Sequence, residues 1–128
     1  MTYHFTKTVA GSMDGVRERV TAALAAAGFG VLTTIDVAAT LKKKLGVDFR
    51  PYLILGACNP QSAYKALQAE DKIGTMLPCN VILQEKAAGE VEVSAVDPVA
   101  SMAAIENPGL GAVAEDVRGR LRRMVESL

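Results

Sequence analysis

The two cysteines of this chain, Cys58 and Cys79, carry its most reactive side chains. Cys58 ends the apolar run "YLILGAC" (Tyr52 to Cys58) and is followed at once by Asn59 and Pro60. Asn59 suits the cap of a helix through its side-chain oxygen, and Pro60 suits the first helical position, where no amide hydrogen is needed. A helix start beside a sulfur brings free backbone amides and the positive end of the helix dipole, an environment that favours a thiolate or a small anion. Gly56 leaves room for a ligand or another backbone to come close. Cys79 returns after a helical stretch and "IGTMLP", at the start of the next strand, with Asn80 beside it. The segment 71–78 spans roughly 25 Å at ~3.3 Å per residue, enough to bring Cys79 back to the same end as Cys58. A parallel crossover would instead put the sulfurs at opposite ends of the sheet. Pro78 holds Leu77 extended, which suits a chain that has already turned, so the shared corner is the favoured geometry.

Three readings of that corner compete. In the first, Cys58, Asn59, Pro60, Cys79, Asn80 and Gly56 form a binding or sensing site for a small ligand: an anion, or a thiol-reactive or sulfur species. In the second, the protein is a thiol-dependent enzyme, with Cys58 as nucleophile and Cys79 as resolving cysteine. In the third, both thiols are core and the chain is a structural homodimeric module, since free cysteine is often a buried small hydrophobe. Whether any reaction is catalysed stays open. The only histidine, His4, lies on the first strand, where its neighbours' alternation turns it to solvent, so no base is evident. Zinc needs about four ligands, more than two cysteines and one distant histidine supply, and no metal or cofactor is expected. Asp36 and Asp97 each precede a helix and read as N-caps rather than a catalytic pair.

The elements that must position these residues follow from periodicity. Tyr3 to Val9 alternates as a half-buried strand, and Ser12 caps a helix whose Met13, Val16, Val20, Ala23, Leu24 and Ala27 recur at helical spacing until Gly28. "FGVLTTIDV" (Phe29 to Val37) is a second strand, followed by a short helix from Ala38 to Leu45 that carries Lys42, Lys43 and Lys44 and ends at Gly46. Tyr52 to Cys58 is apolar at nearly every position, which predicts a central strand covered on both faces. Ser62 to Ala69 continues the helix begun at Asn59. The stretch after Cys79 is a hairpin turning near Ala88 and Gly89, with Val91, Val93 and Ala95 inward. Asp97-Pro98 starts a short helix, and Val113, Val117, Leu121, Met124, Val125 and Leu128 stripe a last one. Met76, Met102 and Met124 sit at spacings suited to core.

The order β-α-β-α-β-α-β-β-α-α ends its strands in an antiparallel pair, which excludes a fully parallel doubly wound sheet. The expected fold is α+β: a single domain over residues 1–128, a mainly antiparallel sheet, and helices packed chiefly on one face. The other face then needs a cover, and a second copy of the chain is the simplest, so a homodimer is expected. Fourteen basic residues balance fourteen acidic ones, so no global field draws the chain to nucleic acid or anionic lipid. Arg118, Arg120, Arg122 and Arg123 cluster near the end of the last helix, but acidic neighbours dilute them and aromatics for stacking are absent nearby. No apolar run approaches the ~20 residues that span a bilayer, and no leader pattern opens the chain, so a cytoplasmic location with free thiols is expected.

"GACNP" (Gly56 to Pro60), with Ala63 and Leu67 following, and "LPCN" (Leu77 to Asn80) resemble the bacterial and archaeal family catalogued as domain of unknown function three hundred and two. The resemblance covers nearly the whole chain. It implies an α+β fold that tends to dimerise, with no assigned activity, and directs attention to Cys58, Asn59, Pro60, Pro78, Cys79 and Asn80.

Overall fold

The computed structural model describes residues 2–128. Five strands form one sheet: β1 (His4–Ala10), β2 (Gly30–Asp36), β3 (Tyr52–Cys58), β4 (Cys79–Ala87) and β5 (Glu90–Val96). The order across the sheet is β1-β5-β4-β3-β2, and every neighbouring pair is antiparallel. The helices are α1 (Met13–Ala26), α2 (Val37–Leu45), α3 (Pro60–Ala69), α4 (Pro98–Ser101) and α5 (Gly111–Glu126), with 3-10 turns at Ile73–Met76 and Pro108–Leu110. This is the expected α+β architecture.

Local sequence explains most boundaries. Ser12, Asp36, Asn59 and Asp97 each cap a helix by accepting a hydrogen bond from a first-turn amide, which satisfies a donor the helix itself cannot. Both aspartates are therefore structural. Gly46 ends α2 at φ +67°, a conformation costly for any residue with a Cβ. Among the described residues, no helix is long and apolar enough to cross a membrane.

The main core lies between one face of the sheet and the helices α1 and α5. Val16, Val20 and Leu24 of α1 and Val117, Leu121, Met124 and Val125 of α5 pack on Leu55, Ala57, Val81, Leu83, Val91, Val93 and Ala95. A smaller cluster of Ala66, Ile73 and Leu110 sits under α3, joined by Met102. Met124 is core as expected, whereas Met76 is exposed on its 3-10 turn.

The other face of the sheet is half apolar and half polar. Ile35, Ile54 and Ile82 face one another across β2, β3 and β4, and the same row continues into Ser94 and Thr6, whose hydroxyls lie 2.8 Å apart. Arg50 donates to Gln84, Gln84 to Glu92, and Lys86 to Glu92. Within the chain β3 is covered on one face only, and it stands second from the edge, with β4 at the centre. Its outward Ile54 is flanked by the cross-strand isoleucines Ile35 and Ile82, which half-bury it within the chain.

Candidate functional site

The corner is made by the return from β3 to β4. α3 carries the chain away from Cys58, the Ile73–Met76 turn reverses it, and Leu77 is extended at φ −116°, ψ 155° before Pro78. β4 then starts antiparallel to β3, with Cys79 directly opposite Ala57. Opposed Cα atoms in such a pair lie about 4.5–5.5 Å apart and successive ones 3.8 Å, which places the Cα atoms of Cys58 and Cys79 roughly 6–7 Å apart. Both residues are free thiols.

They line one cavity of about 300 Å³. Its cause is a run of small side chains where α3 and α5 face the sheet: Ala57 on β3, Ser62, Ala63 and Ala66 on α3, and Ala114 on α5. Residues of that size leave the space between helices and strands unfilled, while Phe29, Val117 and Leu110 wall it. Leu32 of β2 and Leu67 of α3 line it yet are 68% and 44% exposed, so its mouth opens between the edge strand and α3. Ala63 and Leu67 are therefore cavity walls. The walls from α4, α5 and the Pro98–Met102 region were not legible as site residues, because their contribution is only shape.

Cys58 is half-buried and Cys79 buried. Desolvation, reinforced by the neighbouring Cys58 sulfur, pushes the Cys79 thiol up from 9.0 to about 11, so it stays protonated at neutral pH. The thiol is therefore the resting form of Cys79 there.

The structure separates the remaining candidates. Asn59 lines the cavity, but its Oδ1 accepts from the Ser62 amide at 3.0 Å and its carbonyl from the Ala63 amide at 2.9 Å. Pro60 has no amide hydrogen and is exposed, outside the cavity lining. Among the described residues this leaves the Gln61 amide as the open donor of the first turn, one group where an anion would need several. Asn80 points to the opposite face of the sheet, beside Ile82 and Gln84. Gly56 also lies outside the cavity: a Cβ there would stand 2.7 Å from Pro78 Cγ and 3.0 Å from Thr33 Cγ2, so its close neighbour is the proline ring rather than a ligand or a backbone. His4 is on the face away from both thiols, with Nδ1 2.6 Å from Thr6 Oγ1. Among the described residues no group of three or more His, Cys, Asp or Glu side chains is arranged for a metal. Three of the four arginines of α5 are paired, Arg118 with Asp97, Arg120 with Asp116 and Arg122 with Glu126.

A search of curated proteins finds no match. The crystal structure of an uncharacterized conserved protein DUF302 from Bacillus stearothermophilus is similar to this one over 98% of both chains, with a TM-score of 0.89 and 31% sequence identity. The family model described as domain of unknown function DUF302 matches residues 5–128, and the chain belongs to that family.

Proposed function

We propose that this protein binds a small, uncharged, largely apolar molecule in the cavity that Cys58 and Cys79 line. The observation that carries this reading is the cavity itself: about 300 Å³ of space walled almost entirely by hydrocarbon and open at Leu32 and Leu67. Ligand sites are typically concave and mostly apolar, with few polar groups that orient the guest. Here those groups are the two thiols, Asn59 and Ser62. A small anion would exchange its hydration for one open amide, which does not compensate the loss. At interior packing density of about 0.75 the space takes roughly 12 to 17 non-hydrogen atoms, the upper end for flat aromatic rings. At roughly 0.5 kcal/mol per atom, a ligand at the lower end of that range binds with about 6 kcal/mol, a dissociation constant of tens of micromolar.

The test uses phenylnaphthylamine, an uncharged probe whose emission rises in apolar surroundings. Saturable enhancement is expected with the wild-type protein. Ala63→Leu, which puts a larger side chain into the cavity, is expected to weaken it by tenfold or more while leaving the circular dichroism spectrum unchanged. Equal enhancement by both proteins sinks the proposal.

The alternative of a thiol-dependent enzyme with a resolving cysteine has less support. The one histidine is remote, and Cys79 holds its proton. What Cys79 retains is the capacity to donate one.

A further inference from the structure

We propose that Cys58 captures an uncharged α,β-unsaturated carbonyl compound seated in this cavity by reversible conjugate addition, with the Cys79 thiol as proton donor. This rests on the reading that the cavity takes an apolar guest and names the chemical class of that guest.

Of the side chains lining the cavity, only Cys58 and Cys79 can make or break bonds under mild conditions. No carboxylate, imidazole, ammonium or guanidinium group is among them. That set lacks what hydrolysis or phosphoryl transfer requires, a base or a charged stabiliser. What it offers is a soft nucleophile against an apolar wall, and the matching partner is a soft, uncharged electrophile. A conjugated enone has both properties: an apolar body and a polarised β-carbon.

The pairing of two thiols in different surroundings fits the two halves of that reaction. Cys58 is half-buried and lines the cavity, and in the proposed reaction its S–H proton passes to solvent. Its thiolate forms the C–S bond at the β-carbon, and the π pair of the C=C bond moves toward the carbonyl oxygen. The resulting enolate is a charge in a hydrocarbon-walled space with no cationic side chain among the described residues that line it, and it must be neutralised where it forms. Cys79, one strand across and buried, donates its S–H proton to the α-carbon and is reprotonated from solvent. The net change is addition of the Cys58 S–H across the double bond, with no oxidant or reductant consumed. In reverse, Cys79 first passes its S–H proton back to solvent; its sulfur then takes the α-proton as Cys58 leaves as thiolate, so the ligand is released intact.

Benzylideneacetone, an enone of suitable size, loses its near-ultraviolet absorbance when its double bond is saturated; benzylacetone is the analogue that cannot react. With wild-type protein we expect a single adduct, located by peptide mass spectrometry at Cys58. The rate should saturate with enone concentration and, at low concentration, exceed that of N-acetylcysteine at the same pH by 100-fold or more. Cys58→Ala should form no adduct. Cys79→Ala should slow addition about 100-fold or more, the range of a lost general acid, while still letting benzylacetone displace phenylnaphthylamine; Cys79→Ser serves if the alanine variant is unstable. Addition that is unsaturable and no faster than with the free thiol, or undiminished by loss of Cys79, overturns this inference while benzylacetone binding leaves the binding proposal intact. Failure of benzylacetone to displace the probe from wild-type protein overturns both.

Discussion

Replacing Gly56 by alanine tests whether this glycine serves packing or a ligand. An added Cβ meets Pro78 Cγ at 2.7 Å and Thr33 Cγ2 at 3.0 Å, whereas carbon atoms rest at about 3.5–4.0 Å. The ring must therefore retreat by roughly an ångström. It has little freedom to do so, since Pro78 is joined directly to Cys79, which is pinned opposite Ala57 at the start of β4. Overpacking of this kind costs about 1–3 kcal/mol, and the reduced freedom of the unfolded chain returns about 0.4–1 kcal/mol. The net expectation is a loss of about 1–2 kcal/mol, or about 1 M in the urea midpoint for a chain of this size. Equilibrium unfolding followed by circular dichroism measures it directly. A double-mutant cycle adds the cause: in a Pro78→Ala background, the same Gly56→Ala change should cost less than half as much, because the nearest atom has gone. An unchanged midpoint, combined with weaker phenylnaphthylamine binding, would refute the packing argument and return Gly56 to the ligand site.

Other expectations follow from the same geometry. Cys79 titrates near 11 when folded and near 9.0 when unfolded, so its contribution to stability is complete below pH 9 and is lost as pH rises from about 9 to 11; the loss is on the order of 2–3 kcal/mol. Urea titrations at pH 8 and pH 10.5 should show a larger fall for wild-type protein than for Cys79→Ala, and equal falls would discount the desolvation. Iodoacetamide should label Cys58 in the native protein and Cys79 only after unfolding, as peptide mapping would show. Asp97 is buried, accepts from the Val99 amide at 3.0 Å and pairs with Arg118 at 3.1 Å; Asp97→Ala should cost about 2–3 kcal/mol and Asp97→Asn about 1 kcal/mol less, since asparagine keeps the cap. Thermal unfolding of the two variants distinguishes them, and equal losses would remove the cap from the account. Asn59→Ala should cost about 1 kcal/mol through the lost cap on Ser62, and no change in midpoint would count against it.

Much of the scaffold was legible because it is set by short-range rules. Ser12, Asp36, Asn59 and Asp97 stand where caps are needed, Gly46 stops α2, and the alternation of Val91, Val93 and Ala95 assigns β5's inner face. Each signal involves a few neighbouring residues, so it survives without knowledge of the rest of the chain. The return of Cys79 to Cys58 was half legible: Pro78 and the reach of the connecting segment allowed it, and only the antiparallel pairing of β3 with β4 selected it.

The chain itself determined which elements form and that the two thiols end one strand and begin the next strand along the sequence of an α+β fold. Tertiary structure decided what those thiols meet. Asn80 follows Cys79 in sequence but points to the other face, because successive strand residues alternate. Gly56 faces a proline ring, and the helix start spends most of its amides on its own cap. The apolar cavity arises where Ala57, Ala63, Ala66 and Ala114 converge from three elements. An empty volume is the difference between what surrounds a space and what fills it, and that difference exists only after distant segments have packed.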